Sequence, residues 1–213
     1  MNLRQIRETY DRRAAAYDKS IGLGERWLLG DLRAAFGAEL RGRTLEVAVG
    51  SGLNLPFYTD AVGHATAVDL SAGMLAEAGN RVKALGRRID LAQMDAERLA
   101  FPDATFDTVA ISLALCTVSD PAAVLTELAR VCRPGGRLVL LEHVLSPVAP
   151  VALLERLLSP LQERMLGCHL DRRTFDTARG LGFSEEPLGA RFFDVFRLSV
   201  LRAPIASAVS YNG

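Results

Sequence analysis

The stretch LEVAVGSGLNLPFY occupies residues 45–58, and it decides the fold. Residues 44–49 form a short apolar run rich in β-branched side chains, and Gly50, Ser51 and Gly52 stop it. This pattern is typical of a buried strand that enters a tight turn. Glycines let the backbone come close to a ligand, and a following helix N-terminus offers unpaired N–H groups. The turn fits a nucleotide-like ligand, although an isolated GxG is equally typical of a simple connection.

Four further apolar runs follow along the chain, at residues 64–68, 89–94, 106–113 and 137–141. Helical periodicity fills two of the intervals: one helix begins after Ser71 and stops at Gly86, and another begins at Asp120 and Pro121 and is broken by Pro134, Gly135 and Gly136. Parallel strands need long crossovers, which helices supply. The alternation therefore predicts an α/β fold with a doubly wound, mostly parallel sheet, whose ligand lies beyond the carboxyl ends of the strands.

Asp69 closes the second predicted strand, seventeen residues after Gly52. At that position a carboxylate can accept two hydrogen bonds from a ribose diol. A lone aspartate there is more often a helix cap, but Ser71 already fills that role. Neither the GxGxxG of a dinucleotide site nor the GxxxxGK[ST] of a P-loop is present. We therefore predict S-adenosylmethionine as the ligand and cofactor.

The sequence resembles the class I S-adenosylmethionine-dependent methyltransferase superfamily over nearly the whole chain. The resemblance is carried by residues 45–58, 67–75, 94–101, 106–120 and 128–144. It implies a Rossmann-like seven-stranded sheet with helices on both faces and a C-terminal antiparallel hairpin. It also implies one methyltransferase domain over 1–213: an N-terminal helical cap (1–43), a cofactor-binding core (44–147), a helical insert over the site (148–180) and a hairpin with a tail (181–213). In two places the chain departs from the usual pattern, at Ala48 and at the Cys116–Thr117 pair.

The resemblance implies a set of cofactor contacts. The glycine turn approaches the methionine part, Asp69 holds the ribose, Leu70 and Met74 border the adenine, and Asp95 with the Ala96 N–H reads its edge. The backbone at 113–115 passes under the sulfonium. The expected cofactor-binding residues are Tyr17, Glu46, Ala48, Gly50, Ser51, Gly52, Asn54, Asp69, Leu70, Met74, Asp95, Ala96, Leu113, Ala114 and Leu115.

Within the superfamily, the opening YDRRAAAYD (10–18) is similar to that of quinone C-methyltransferases and bacterial phospholipid N-methyltransferases, in which a tyrosine closes over the cofactor. Tyr10 and Tyr17 are seven residues apart and share a helical face. Packing on the sheet and a lid role for Tyr17 are both open. The segments LALCTV, EHV and GCHLDRRTFD also resemble those of thiol S-methyltransferases.

Transfer of a methyl group from a sulfonium chiefly needs a positioned acceptor and the exclusion of water, so a base is optional. His143, just after the fifth strand, and His169 are the candidate bases, together with Tyr17 as a candidate catalytic residue; a packing role is open for both histidines. His64 is expected to be structural. The candidate substrate contacts are Tyr10, Cys116, Arg172 and Arg173, the arginines for a substrate anion.

The predicted insert carries an apolar stripe at helical spacing, interrupted by Pro160: Val151, Leu154, Leu157, Leu158, Leu161 and Met165. Such stripes favour burial in a core, and Trp27 is likewise expected to be a packing anchor. A stripe that faces the pocket instead predicts an apolar or lipid-like acceptor.

Composition narrows the function classes. The 213 residues are 49% hydrophobic and carry 25 basic and 25 acidic side chains, which excludes disorder and disfavours nucleic acid as a partner. The three cysteines form no disulfide or metal pattern, and no export signal or spanning segment is visible, so a reducing cytoplasmic location is expected, with transient membrane contact still open. No metal is predicted, and the chain is expected to be a monomer or homodimer.

Two function classes remain open from the sequence. The favoured one is methyl transfer to sulfur, nitrogen, oxygen or carbon of a small acceptor, apolar, lipid-like or a secondary metabolite. The alternative is an S-adenosylmethionine-binding enzyme that catalyses a cyclisation, decarboxylation or rearrangement without methylation, because a cofactor site does not define the reaction.

Overall fold

The computed structural model describes residues 2–203, with every side chain except those at positions 21–23, 25, 26 and 166. The end of the predicted tail, 204–213, lies outside the described residues. Seven strands form one sheet: β1 (Gly42–Val47), β2 (Val62–Asp69), β3 (Ile89–Gln93), β4 (Phe106–Ser112), β5 (Cys132–His143), β6 (Ser184–Arg191) and β7 (Phe196–Arg202). Their order is β3-β2-β1-β4-β5-β7-β6. Strands β1 to β5 pair in parallel, whereas β7 is antiparallel to both β5 and β6. The predicted fold class is confirmed.

The helices are α1 (Leu3–Leu29), α2 (Leu32–Glu39), α3 (Ala72–Leu85), α4 (Pro121–Val131), α5 (Ala149–Leu166) and α6 (Thr174–Gly180), with a 3-10 turn at Leu55–Phe57. The start signals act as predicted. Ser71 accepts a hydrogen bond from the Met74 N–H at 3.1 Å, and Asp120 accepts from the N–H groups of Ala122 and Ala123. Gly86 ends α3 at a φ of +63°, a conformation that glycine adopts without a Cβ clash.

Two apolar cores lie on the two faces of the sheet, because successive strand residues point to opposite sides. Val109 and Ile111 of β4 join the core that contains α4 and α6, whereas Ala110 joins the core that contains α2 and α3. Both faces of the central strands are therefore buried, and their nearly continuous apolar sequences follow from this.

Strand β1 lies between β2 and β4. From β1 the chain adds β2 and β3 on one side of the sheet and then returns to add β4 and β5 on the other side. A sheet that reverses its order in this way opens a crevice at the carboxyl ends of its central strands. The glycine turn after β1, Asp69 at the end of β2 and the loop after β4 all meet at this crevice.

Helix α4 ends at Val131, before Pro134 as predicted, whereas β5 begins at Cys132, five residues earlier than predicted, with Gly135 at a φ of +73°. Two expectations about α5 were wrong. Helix α5 continues through Pro160; the carbonyl left without a partner belongs to the exposed Arg156, which water can reach. The apolar stripe on α5 is exposed rather than buried, apart from the half-buried Val151. Trp27 packs on the Phe192 ring, as expected of a packing anchor, but is 70% exposed.

Candidate active site

A cavity opens at the carboxyl ends of β1, β2 and β4, under α1. Tyr10, a predicted substrate contact, lines this cavity. Most of the predicted cofactor residues line it as well: Tyr17, Ala48, Gly50, Ser51, Asn54, Asp69, Leu70, Met74, Asp95, Ala96, Leu113 and Ala114. Other predicted site residues are absent from its described lining: Glu46, Gly52, Leu115, Cys116, His143, His169, Arg172 and Arg173.

Asp69 ends β2 with its carboxylate at the cavity wall. Its Oδ2 accepts a hydrogen bond from the Gly50 N–H and its Oδ1 accepts from the Ser71 N–H, both at 2.8 Å. Burial raises the pKa of this carboxyl, and the two backbone N–H groups oppose that shift. Each carboxylate oxygen has a further lone pair, so the side chain can still accept hydrogen bonds from a ligand.

The turn after β1 has three residues in left-handed conformation: Ala48 at a φ of +55°, Gly50 at +57° and Gly52 at +83°. The glycines serve different needs. A Cβ on Gly52 would lie 2.7 Å from Leu55 Cδ1, so its absence permits packing. A Cβ on Gly50 would meet nothing within 4 Å, so that backbone borders open space and a ligand can approach it.

Glu46 lies beneath the cavity rather than in its wall. Its carboxylate is fully buried and accepts hydrogen bonds from Asn54 Nδ2 and from the Tyr58 hydroxyl. Burial raises its pKa. Asn54 also donates to Ser112 Oγ at 2.7 Å and accepts from Arg33, so Glu46 holds in place an amide that does line the cavity.

Helix α1 covers the site and is tied down by two aspartates. Asp11 Oδ1 accepts hydrogen bonds from Ser71 Oγ at 2.6 Å and from the Gly73 N–H at 3.0 Å, at the start of α3. Asp18 accepts from Ser51 Oγ at 2.5 Å and pairs with Arg81. Tyr10 and Tyr17 directly precede the two anchors in sequence, and their ring centroids are 6.2 Å apart. Helix α1 is therefore attached on the cofactor side.

The loop after β4 rests on a carboxylate that the sequence analysis did not single out. Glu142 on β5 is completely buried, and its Oε1 accepts hydrogen bonds from the N–H groups of Ala114 and Leu115, both at 3.1 Å. Its Oε2 has no hydrogen-bond partner, and burial raises its pKa well above the usual range. Leu113 begins this loop at a φ of +52°.

The two candidate bases lie away from the cavity lining. The His143 ring packs on Phe196, with centroids 5.4 Å apart, and its Nε2 lies 3.6 Å from Glu155 Oε1. Burial lowers the pKa of His143 to about 4. His169 donates its backbone N–H to the Cys116 carbonyl at 2.8 Å, and its Nδ1 lies 3.8 Å from Glu163 Oε2. The catalytic roles assigned to His143, His169 and Tyr17 stay predictions.

The predicted substrate residues, apart from Tyr10, do not belong to the described lining of the cavity. Cys116 is buried, its thiol hydrogen bonds to Cys168, and these contacts with burial raise its pKa. Arg172 donates to the Val118 carbonyl at 3.0 Å and so ties the segment after α5 to the loop after β4. Arg173 is exposed and lies 3.3 Å from Asp176.

Several wall and lid residues were missed by the sequence analysis. Arg33, Thr117 and Val118 line the cavity, and Asp11 and Asp18 anchor α1. The sequence does contain a signal for the two aspartates, because each directly follows one of the two tyrosines in YDRRAAAYD. Nothing local marks Arg33. The segment EHV contains Glu142 but does not indicate its role, because the partners of this residue are distant in sequence. Within residues 2–203 no group of three potential metal ligands is assembled.

Comparison with known proteins agrees with this geometry. A family model described as a methyltransferase domain matches residues 45–140. The phosphatidylethanolamine N-methyltransferase of Cereibacter sphaeroides is 45% identical over 87 residues, 40% of this chain and 42% of that protein. The demethylmenaquinone methyltransferase of Clavibacter sepedonicus is 37% identical over 123 residues, 55% of this chain and 49% of that protein.

The chain carries a class I S-adenosylmethionine-dependent methyltransferase domain over residues 45–140. It spans about half the length of the curated relatives it matches. Among solved structures, the DhpI–SAH complex shares the fold with a TM-score of 0.67 at 20% identity, over 95% of this chain and 98% of that one.

S-adenosylmethionine is the cofactor of this family, and the site fits it. The Gly50 backbone borders open space, and Asp69 can still accept hydrogen bonds. Asp95, which follows β3, places a second carboxylate in the lining. Leu70 and Met74 supply apolar surface between them. The cavity thus has the polar and apolar groups that an adenosyl ligand needs.

Proposed function

We propose that this chain transfers the methyl group of S-adenosylmethionine to a small, apolar or lipid-like acceptor. One observation carries the proposal: the cavity joins the cofactor wall to a second wall formed by α1 and by Leu113, Ala114, Thr117 and Val118. That second wall is largely apolar, with Leu3, Ile6, Leu113 and Val118 beside the two tyrosines. An apolar acceptor is therefore favoured over a strongly charged one.

The acceptor class has support from the relatives. Those that match over the cofactor core are named for phosphatidylethanolamine and demethylmenaquinone, both lipids. We therefore favour nitrogen or carbon as the acceptor atom. The coverage of those relatives is partial, so the acceptor of this chain has to be established by experiment.

When bound, S-adenosylmethionine supplies a methyl group on a sulfonium, a carbon already activated for in-line displacement. The chain's own residues would hold and orient it: Asp69 would accept hydrogen bonds from the ribose hydroxyls, and the Gly50 backbone would border the amino-acid part. Helix α1, held by Asp11 and Asp18, keeps water from the reacting atoms.

No histidine belongs to the described lining, whose ionisable groups are Arg7, Tyr10, Tyr17, Arg33, Asp69, Asp95 and Glu97. Burial raises the pKa of Tyr10, so its phenol stays protonated near neutral pH and can donate a hydrogen bond to an acceptor. Catalysis is then mainly positioning, which can supply much of the rate enhancement of a bimolecular displacement.

The test uses cofactor labelled in the transferred methyl group. The full chain is incubated with it and with phosphatidylethanolamine vesicles, a demethylated quinol or a small thiol, and S-adenosylhomocysteine and labelled product are measured by mass spectrometry. With one of the lipids, the proposal expects one S-adenosylhomocysteine for each labelled methyl group found on the lipid. With the Asp69→Ala variant it expects neither S-adenosylhomocysteine nor labelled lipid. It fails if bound cofactor is never consumed with any acceptor, or if a product forms without the label, which would favour the non-methylating alternative.

A further inference from the structure

Helix α5 has its polarity reversed relative to an ordinary surface helix. Its buried positions are small or polar: Ala152, Glu155 and Ser159 are each at most 9% exposed. Its solvent side carries large apolar side chains, which are between 45% and 70% exposed: Leu153, Leu154, Leu157, Leu158, Leu161 and Met165. A surface helix normally turns such a stripe inward.

Specific contacts fix this rotation. Glu155 Oε2 accepts a hydrogen bond from the Ser146 N–H at 2.8 Å. One turn later, Ser159 Oγ donates to Asp171 Oδ1 at 2.7 Å and accepts from the Leu170 N–H at 3.2 Å. Turning the leucines inward would break these hydrogen bonds and bury the stripe against polar groups. The outward stripe is therefore part of the fold.

The apolar surface continues past the helix. Val148 precedes α5, and Ser146 Oγ donates to the Phe193 carbonyl at 2.5 Å, which joins the β6–β7 turn to this region. Phe193 is 66% exposed, and Trp27, 70% exposed, contacts Phe192 with ring centroids 4.8 Å apart. We call Trp27, Val148, Phe193 and the exposed apolar residues of α5 the apolar platform. It lies at the carboxyl edge of β5, the edge where the cavity opens.

The charges around the platform indicate what covers it. Among the described side chains of α5, the exposed charged ones are Arg156 and Arg164, both basic. Of the two acidic side chains, Glu155 is buried, and Glu163 is half-buried with its Oε2 3.8 Å from His169 Nδ1. A second copy of the chain would bring the same arginines against these, whereas an anionic lipid surface would attract them. Exposed tryptophan and leucine with arginine are typical of helices at a bilayer interface.

We propose that the apolar platform docks on an anionic lipid bilayer, with α5 lying in the plane of the headgroups. No helix within residues 2–203 is long and apolar enough to cross a membrane, so the contact is interfacial. Docking by this surface turns the carboxyl edge of the sheet, with its cavity, toward the lipid. The proposal does not depend on methyl transfer, because bilayer binding is measured without cofactor.

The experiment is co-sedimentation of the full chain with vesicles of phosphatidylcholine and phosphatidylglycerol in equal amounts, next to vesicles of phosphatidylcholine alone. We expect binding to the anionic vesicles, reduced at least tenfold in the Leu157→Ser/Leu161→Ser variant, because each leucine loses buried apolar area. Arg156→Gln and Arg164→Gln should each weaken binding about fivefold. The control is Leu181→Ser, which changes a leucine 38% exposed at the other edge of the sheet and should bind like the wild type.

Thermal unfolding of each variant checks that the fold is kept, as expected for exposed positions. The proposal is overturned if the wild type does not bind anionic vesicles, or if Leu181→Ser weakens binding as much as the platform variant. It is also overturned if sedimentation velocity shows a dimer that the platform variant dissociates while vesicle binding is unchanged. Vesicle binding without methyl transfer would leave this surface standing and refute only the proposed function.

Discussion

Two carboxylates that accept backbone hydrogen bonds lie on opposite sides of the point where the strand order reverses. Asp69 ends β2 and Glu142 lies near the end of β5, and each accepts two backbone N–H groups. Burial raises the pKa of both. They differ in what their remaining lone pairs face: Asp69 lines the cavity, whereas Glu142 is sealed beneath the loop after β4. A carboxylate that accepts backbone hydrogen bonds thus faces the ligand cavity at the end of β2, and supports the loop after β4 from its position on β5.

Removing the hidden carboxylate should have the largest effect on stability. Glu142→Ala leaves the N–H groups of Ala114 and Leu115 unpaired in the core and opens a small cavity, so we expect a loss of about 3 kcal/mol in the free energy of unfolding. Chemical denaturation measures it. Glu142→Gln keeps an acceptor for both groups and should be at least as stable as the wild type at pH 7.

The sign of the pH dependence sharpens this prediction. Because the folded-state pKa of Glu142 is raised, its carboxyl favours folding at low pH, and that contribution is lost as the pH rises above about 4.5. The Glu142→Gln variant should lose this decline. A wild type and a Gln variant with the same pH profile would contradict the raised pKa of the buried Glu142.

His143, the neighbour of Glu142, should matter for stability more than for catalysis. Its folded-state pKa is lowered to about 4, so stability should rise by about 2 kcal/mol as the pH increases from 4 to 6.5. His143→Gln should flatten that rise and leave kcat within about twofold, because the ring is outside the cavity lining. A kcat loss of a hundredfold, with a normal cofactor affinity, would instead restore His143 as the base.

The lid contacts on the Asp69 side should have a smaller effect. Asp11→Asn with Asp18→Asn weakens the hydrogen bonds that these two aspartates accept from Ser71, Gly73 and Ser51. Because both aspartates are at least partly exposed, we expect cofactor affinity to fall by only about tenfold. Glu8→Gln, an exposed change elsewhere on α1, is the control. Unchanged affinity in the double variant would show that α1 does not close over the cofactor.

The contrast between the carboxylates also marks how far sequence reasoning reaches. Asp69, the glycine turn and the caps Ser71 and Asp120 follow from local patterns, in which strand, turn and helix start are adjacent in sequence. Glu142 and the loop it supports are 28 residues apart, and Asp11 lies 60 residues from Ser71, so no local pattern joins them. The stripe on α5 has the same periodicity whether it faces the core or the solvent, and only the polar contacts of Glu155 and Ser159 decide.

The most direct test of the account is calorimetric titration of S-adenosylmethionine into the wild type, Asp69→Ala and Glu142→Gln, with thermal unfolding as a check on folding. We predict one cofactor bound per wild-type chain and a Kd raised at least about a hundredfold in Asp69→Ala, since two hydrogen bonds to a charged group are lost. Glu142→Gln should bind within about threefold of the wild type. A folded Asp69→Ala variant with wild-type affinity, or a wild type that does not bind the cofactor, would contradict the account.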